Sequence, residues 1–212
     1  KPLYVLISNR NGGQKMFVEQ MMKKEVYTLQ STNTLNDAFN LMNEKKIRHI
    51  PIVDENKKLC GIVTSHDVNN ALPSSLNGDN CASLYDTPIE SFMTKDVIVG
   101  HPLDFVEEVA VTFFDSKISC LPIVSRGELV GIVTTTDLLY AYIKLTGSHQ
   151  PSSKIDIRVT DRTGTIADVT QVFKRLNANV LSILVYPDFE DDTHRILSIR
   201  VTVINPLPII KE

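Results

Sequence analysis

Two stretches of the chain carry the same rhythm of apolar and polar positions. Leu35, Ala38, Phe39 and Met42 fall on one face of a helix, and so do Val106, Val109, Ala110 and Phe113. Each helix is followed by two short apolar runs, residues 50–53 and 59–63 in the first stretch and 121–124 and 129–133 in the second. Polar turns join them, residues 54–58 and Ser125-Arg126-Gly127-Glu128, so each pair reads as a hairpin. A short run before each helix, residues 26–29 and 97–99, reads as a further strand. Asn33 and Asp104 are the N-cap candidates, and Pro102 marks the entry to the second helix. Thr64 and Thr134 open a helix after each hairpin. The unit is therefore β-α-β-β-α, present twice. Neither copy can bury its sheet alone, so the two should pack together.

The repeat also holds at single residues. Met22 matches Met93 and Pro51 matches Pro122, both 71 positions on. Gly61, Thr64 and Asp67 match Gly131, Thr134 and Asp137, 70 positions on. One residue is lost in the hairpin turn, where length change is tolerated. The run of residues 71–87 between the copies is rich in Ser, Asn, Asp and Pro and reads as a linker.

After residues 147–153 the pattern changes. Ile155, Ile157 and Val159 alternate with polar residues as in a half-buried strand. Asp161-Arg162-Thr163-Gly164 reads as a turn in which Gly164 takes a left-handed conformation. Ile166, Val169, Phe173 and Leu176 mark one helix face, and residues 180–186 and 196–204 read as strands around an acidic turn, residues 188–192.

Composition narrows the function. The 212 residues are 42% hydrophobic, enough for one or two folded domains, and the net charge is −3. No basic excess marks a nucleic-acid binder, and no apolar run approaches a membrane span. Cys60, Cys81 and Cys120 have no C-x-x-C spacing and read as buried reduced thiols. With no signal peptide evident, the expected location is cytoplasmic. Catalytic signatures such as G-x-S-x-G, the P-loop, H-E-x-x-H and G-x-G-x-x-G are missing, and the five histidines (49, 66, 101, 149, 194) lack metal-ligand spacing. No metal is expected. His149 and His194 read as solvent-facing, and Glu107-Glu108 and Asp191-Asp192 as solvated charge.

The tandem Ile50-Pro51-Ile52-Val53 … Gly61-Ile62-Val63-Thr64-x-x-Asp67 and Leu121-Pro122-Ile123-Val124 … Gly131-Ile132-Val133-Thr134-x-x-Asp137 resemble a CBS-domain pair, or Bateman module. The β-α-β-β order of the last unit resembles an ACT domain, a small-molecule sensor of ferredoxin-like type. A complete ACT domain has a further helix and strand, so this unit reads as truncated. The domain order, with HPLDFVEEV at 101–109, LLxxxxKLTG at 138–147 and NPLP at 205–208, resembles the AcuB-type acetoin-utilisation proteins from about Met16 to Pro208. The expected fold class is α+β: a leader at 1–15, CBS 1 at 16–72, a linker at 73–87, CBS 2 at 88–146, a linker at 147–153 and the ACT-like unit at 154–212. Met16 reads as a natural start. The alternation of Leu3, Val5 and Ile7 in the leader would also suit a strand.

A helix N-terminus with a threonine hydroxyl suits a phosphate, and a carboxylate one turn later can accept both hydroxyls of a ribose. The resemblance implies this role for Thr64, Asp67, Thr134 and Asp137, with adenine held along the Ile50-Pro51 and Leu121-Pro122 strands. Arg48 and His49 precede the first Pro motif, where Ser119 and Cys120 stand in the second, so the first copy can supply cationic charge and the second cannot. Lys24, Lys95 and His66 are further candidates. The implied ligand is AMP or ATP; S-adenosylmethionine and NAD share the adenosyl part. In the ACT-like unit Asp161, Thr163, Gly164 and Thr165 occupy the loop where such domains often hold amino acids. The resemblance further implies a homodimer that controls a partner enzyme of acetoin or butanediol breakdown, without catalysis of its own. Two alternatives stay open. The Thr-x-x-Asp pairs can serve as helix caps in a purely interacting module. An enzyme of unrecognised type would have to use His49 or His66 with Asp67.

Overall fold

The computed structural model describes residues 16–71 and 85–210, so the leader, Cys81 and most of the first linker lie outside the described residues. The chain divides into two compact units after Leu138.

In the first unit the first copy contributes α1 (Leu35–Lys45), β1 (His49–Val53), β2 (Leu59–Thr64) and α2 (Ser65–Ala71). The second contributes α3 (Val106–Ser116), β3 (Cys120–Ser125), β4 (Glu128–Thr134) and the start of α4 (Thr135–Thr146). Both hairpins are antiparallel and irregular at the same place, between Ile52 and Val53 and between Ile123 and Val124. Arg126 and Gly127 both have positive φ, 53° and 87°, so the second hairpin closes on a two-residue turn whose twist matches its strands.

The helix starts sit one residue later than expected. Thr34, rather than Asn33, caps α1: its hydroxyl accepts from the Asp37 amide at 3.3 Å, and the Asp37 carboxylate accepts from the Thr34 amide at 2.9 Å. Asn33 instead accepts from the Gln30 amide, tightening the turn before the helix. Phe105 precedes α3, while Asp104 accepts from the His101 amide at 2.6 Å.

The strand expected before each helix shrinks to a single parallel bridge, Leu29 with Ile52 and Gly100 with Ile123. Proline is the reason. The Leu29 amide donates to the Pro51 carbonyl and the Val53 amide donates to the Leu29 carbonyl. The next rung toward Tyr27 would need a donor at residue 51, and proline has none. Pro122 stops the second ladder in the same way. Residues 25–27 are thereby left off the sheet.

The two copies exchange their leading segments. Lys23 pairs with Ile132 and Thr94 with Ile62, each through two backbone hydrogen bonds of 2.9–3.0 Å. Val18 is buried with Val109, Phe113, Leu121, Ile123 and Val133 of the second copy, whereas Ile89 is buried with Leu35, Ile50, Ile52 and Val63 of the first. Gly61 and Gly131 permit the approach. A Cβ on Gly61 would lie 2.8 Å from Met93 Sδ and 2.9 Å from the Thr94 carbonyl, and one on Gly131 would lie 2.7 Å from Met22 Sδ and 3.1 Å from the Lys23 carbonyl. Between the hairpins Ile62, Ile132 and Cys120 form a small third cluster with Val26 and Val97 packed on it. Ala110, expected on the apolar face of α3, is exposed.

The second unit continues α4 and adds β5 (Ser153–Thr160), α5 (Thr165–Arg175), β6 (Val180–Pro187), β7 (His194–Val201) and the short α6 (Leu207–Ile210). The strands form one antiparallel sheet in the order β5-β7-β6. Ile155, Leu197, Ile199 and Val201 of the sheet bury Phe173, with Val169 and Val172 beside it. Ile166 and Leu176, expected on that helix face, are 47% and 37% exposed, because the buried stripe is centred on Phe173 and leaves both at its margins. His194 is half-buried rather than solvent-facing, with Nδ1 2.8 Å from Asp191. Asp191 also takes Arg158, so it is tied into the hairpin tip rather than merely solvated. Cys60 is exposed, against the expectation of burial, and Cys120 is buried.

Candidate functional site

Each hairpin ends on a threonine that caps the helix after it. The Thr134 amide (2.9 Å) and hydroxyl (2.6 Å) donate to one oxygen of Asp137, and the Asp137 amide points back at the hydroxyl at 3.4 Å. Thr64 and Asp67 repeat the arrangement at 2.8, 2.7 and 3.3 Å. One carboxylate oxygen of each aspartate thus serves the helix end. The other oxygen of Asp137 lies 3.3 Å from Lys23 Nζ.

Lys23 opens onto a cavity of about 380 Å³. One wall is the leading segment, Lys23, Glu25, Val26 and Tyr27, freed from the sheet by Pro51. A second is Lys46, Ile47, Arg48 and His49 of the first copy, and the third is Ile132, Thr134 and Thr136 of the second. Lys46 ends α1 in the left-handed conformation (φ 55°), which turns the next three residues onto the cavity. The size falls within the roughly 300–1,000 Å³ of small-molecule pockets. Val26, Ile47, Ile132 and the Tyr27 ring offer apolar surface for a flat ring, and Lys23, Lys46 and Arg48 offer positive charge for an anion.

His49 Nε2 lies 2.9 Å from the Ser119 hydroxyl. Burial, then the Arg48 guanidinium, hold its imidazole below the ordinary value, against the pull of Asp67. Burial pushes the Cys120 thiol up to about 12, with Asp137 adding to the shift.

The cavity regroups the residues singled out from the sequence. Arg48 and His49 face the Thr134 of the other copy. Lys24 is exposed and does not line the cavity; its neighbour Lys23 does. Ile50, Pro51, Leu121 and Pro122 are buried. His66 is exposed, and its Nε2 lies 3.0 Å from the Asn70 amide nitrogen. Lys95 pairs with Glu90 at 3.4 Å. Counting along the repeat, Lys23, Arg48 and His49 correspond to Thr94, Ser119 and Cys120, so the related position around Thr64 is poorer in charge. Glu25, Tyr27 and Lys46 were not legible as cavity residues, because their placement follows from the exchanged segment and the stopped ladder.

In the second unit a hollow of about 260 Å³ is lined by Asp161, Arg162, Thr165, Arg195 and the apolar residues Val159, Ile166, Val185 and Leu197, with Thr160. Asp161 accepts from Arg195 at 2.9 Å. Gly164 takes φ 91° and precedes α5 as its cap residue. The Thr165 hydroxyl donates back to the Thr160 and Arg162 carbonyls. Thr163 and Gly164 do not line the hollow. Among the described residues no group of His, Cys, Asp and Glu could hold a metal ion, and no helix is long and apolar enough to cross a membrane.

The CBS domain model matches residues 18–74 and 89–144, a little over half the chain. The chain belongs to the CBS-domain family. The ACT domain model matches residues 153–212, so the CBS pair is followed by an ACT domain. A solved structure of a protein named for acetoin utilization (AcuB), from Vibrio cholerae, is 40% identical, with a TM-score of 0.57, over 66% of this chain and 98% of that one. The CBS domain pair of protein MJ0100, solved in complex with 5′-methylthioadenosine and S-adenosyl-L-methionine, is 31% identical over 64% of this chain and 99% of that one, with a TM-score of 0.53. CBSX2, solved in complex with AMP, is 25% identical over 60% of this chain and 96% of that one, with a TM-score of 0.52. The chain spans 63% of one curated relative, protein MJ1225 of Methanocaldococcus jannaschii, at 29% identity. It spans 23% of another, a homoserine O-acetyltransferase of Methanobrevibacter ruminantium, at 36%.

Proposed function

We propose that the protein is a regulatory sensor that holds an adenosine ligand in the cavity between the two CBS copies. The observation that carries this reading is the cavity itself: apolar walls, three cations and a helix-opening threonine meet in one space of about 380 Å³. The ligands named in the MJ0100 and CBSX2 complexes, all adenosine derivatives, support it. In this reading Thr134 and Asp137 meet the sugar and phosphate, Arg48 meets the phosphate, and His49 packs neutral beside them. The cavity draws its walls from both copies, so a ligand that prefers one spacing of the copies shifts the population toward it. We further propose that a homodimer transmits this shift to a partner enzyme, and the likeness to the Vibrio cholerae protein favours acetoin breakdown as the setting.

Calorimetry with AMP, ATP, S-adenosylmethionine and 5′-methylthioadenosine tests the reading. Binding by at least one of them, weakened about tenfold or more by Asp137→Ala, is expected. No heat from any of the four at millimolar concentration would overturn it. The hydrogen bonds of Thr64 to Asp67 and of Thr134 to Asp137 favour a second reading, in which these pairs only cap helices. Under that reading alanine variants of Asp67 and Asp137 lose stability alike and none of the four compounds raises the melting temperature.

A further inference from the structure

From the contact between Lys23 and Asp137 we infer that Lys23 is a latch that selects phosphate-bearing ligands; this rests on the adenosine-sensing reading above. Two backbone hydrogen bonds, both 3.0 Å, pin Lys23 to Ile132, so its main chain is fixed at the cavity wall. Its side chain is 61% exposed, whereas that of Asp137 is 13% exposed and held by Thr134. With Lys23 in place both oxygens of Asp137 are engaged, one by the helix cap and one by the ammonium. A sugar diol that reaches Asp137 must therefore displace Lys23.

What becomes of the displaced ammonium decides which ligand enters. A phosphate in the same cavity gives Lys23 a new counter-charge within reach of its fixed main chain, so one ion pair is exchanged for another. Adenosine and 5′-methylthioadenosine offer none, and the ammonium is left between the single charge of Glu25 and the cations Lys46 and Arg48, a poorer exchange than a dianionic phosphate. S-adenosylmethionine is a mixed case, because its α-carboxylate can pair with the ammonium while its sulfonium cannot, so it does not report on the latch. The discrimination belongs to one half of the repeat. The position related to Lys23 is Thr94, which carries no charge to set against Asp67.

The test is calorimetry on the full chain with AMP, adenosine and 5′-methylthioadenosine, in wild type, Lys23→Met and Lys24→Met. Lys23→Met keeps the pairing with Ile132, which uses main-chain atoms alone, and its melting temperature checks folding. The wild type is expected to bind AMP at least about tenfold more tightly than the other two ligands. Lys23→Met should weaken AMP and leave adenosine unchanged or tighter, so that the ratio of the two affinities falls by about tenfold or more. Lys24→Met should keep the wild-type ratio. An unchanged ratio in Lys23→Met, or wild-type binding of adenosine or 5′-methylthioadenosine as tight as AMP, overturns the latch while the sensing reading stands. Failure of these three ligands, and of ATP and S-adenosylmethionine, to bind the wild type removes both readings.

Discussion

Gly61→Ala probes the exchange of leading segments that builds the cavity. The new Cβ would stand 2.8 Å from Met93 Sδ and 2.9 Å from the Thr94 carbonyl. The thioether can rotate away. The carbonyl cannot, because it accepts from the Ile62 amide at 2.9 Å while the Thr94 amide donates to the Ile62 carbonyl at 3.0 Å. The strap around Ile89 must retreat from the core. Overpacking of this kind costs about 1–3 kcal/mol, and weakening the two bridging hydrogen bonds adds about 1 kcal/mol. Gly131→Ala meets its nearest backbone atom, the Lys23 carbonyl, at 3.1 Å, so a smaller shift relieves it. The expected cost there is about 1 kcal/mol, the low end of the overpacking range. At roughly 2–4 °C per kcal/mol for a chain of this size, Gly61→Ala should melt at least 4 °C lower than wild type and Gly131→Ala about half as far. Urea unfolding followed by far-ultraviolet circular dichroism reads both, with the slope held constant as a check on the unfolded state. Wild-type stability in Gly61→Ala, or a larger loss in Gly131→Ala, would show that the contacts at these glycines do not hold the copies together.

His49 and the thiols give two more tests. Because its folded imidazole sits below the unfolded value of about 6.5, the unfolded chain takes up the proton first as the pH falls, and stability declines below that value until the folded His49 is itself protonated. The urea midpoint should therefore drop further between pH 7.5 and pH 5.5 in wild type than in His49→Gln; equal drops would refute the assignment. In a Cys81→Ser background at pH 8, a disulfide reagent should modify exposed Cys60 quickly and buried Cys120 only on unfolding, since a thiol pushed up to about 12 is almost wholly protonated there. Rapid modification of two thiols in the folded protein would contradict the burial of Cys120.

Much of the local structure was legible because it rests on local pattern. The hairpins, the lost turn residue and the Thr-x-x-Asp caps each lie within a few positions and recur. The N-cap of α1 also has a local signal, and it favours Thr34: Asp37 stands three positions on and closes the reciprocal box, whereas Asn33 has only the uncharged Asn36 at the corresponding place. The choice between Lys23 and Lys24 was not legible. Both precede an apolar run, and the pairing with Ile132 that turns one of them to the cavity lies more than a hundred positions away. The regrouping of Arg48 and His49 with Thr134 was hidden for the same reason. On α5 the apolar period was real, but the three-stranded sheet covers the stripe around Phe173 and leaves Ile166 and Leu176 at its margins.

The exchanged straps also bear on how the chain can acquire its shape. Val18 has its burial partners in α3 and the β3–β4 hairpin, so during synthesis it must wait for most of the first unit to emerge before it finds them. Contacts between such distant positions slow folding, because the intervening chain has to close into a loop first. A single repeat with its own strap would have nowhere on itself to lay it; two such chains would have to trade straps, and joining them end to end turns that trade into an internal one.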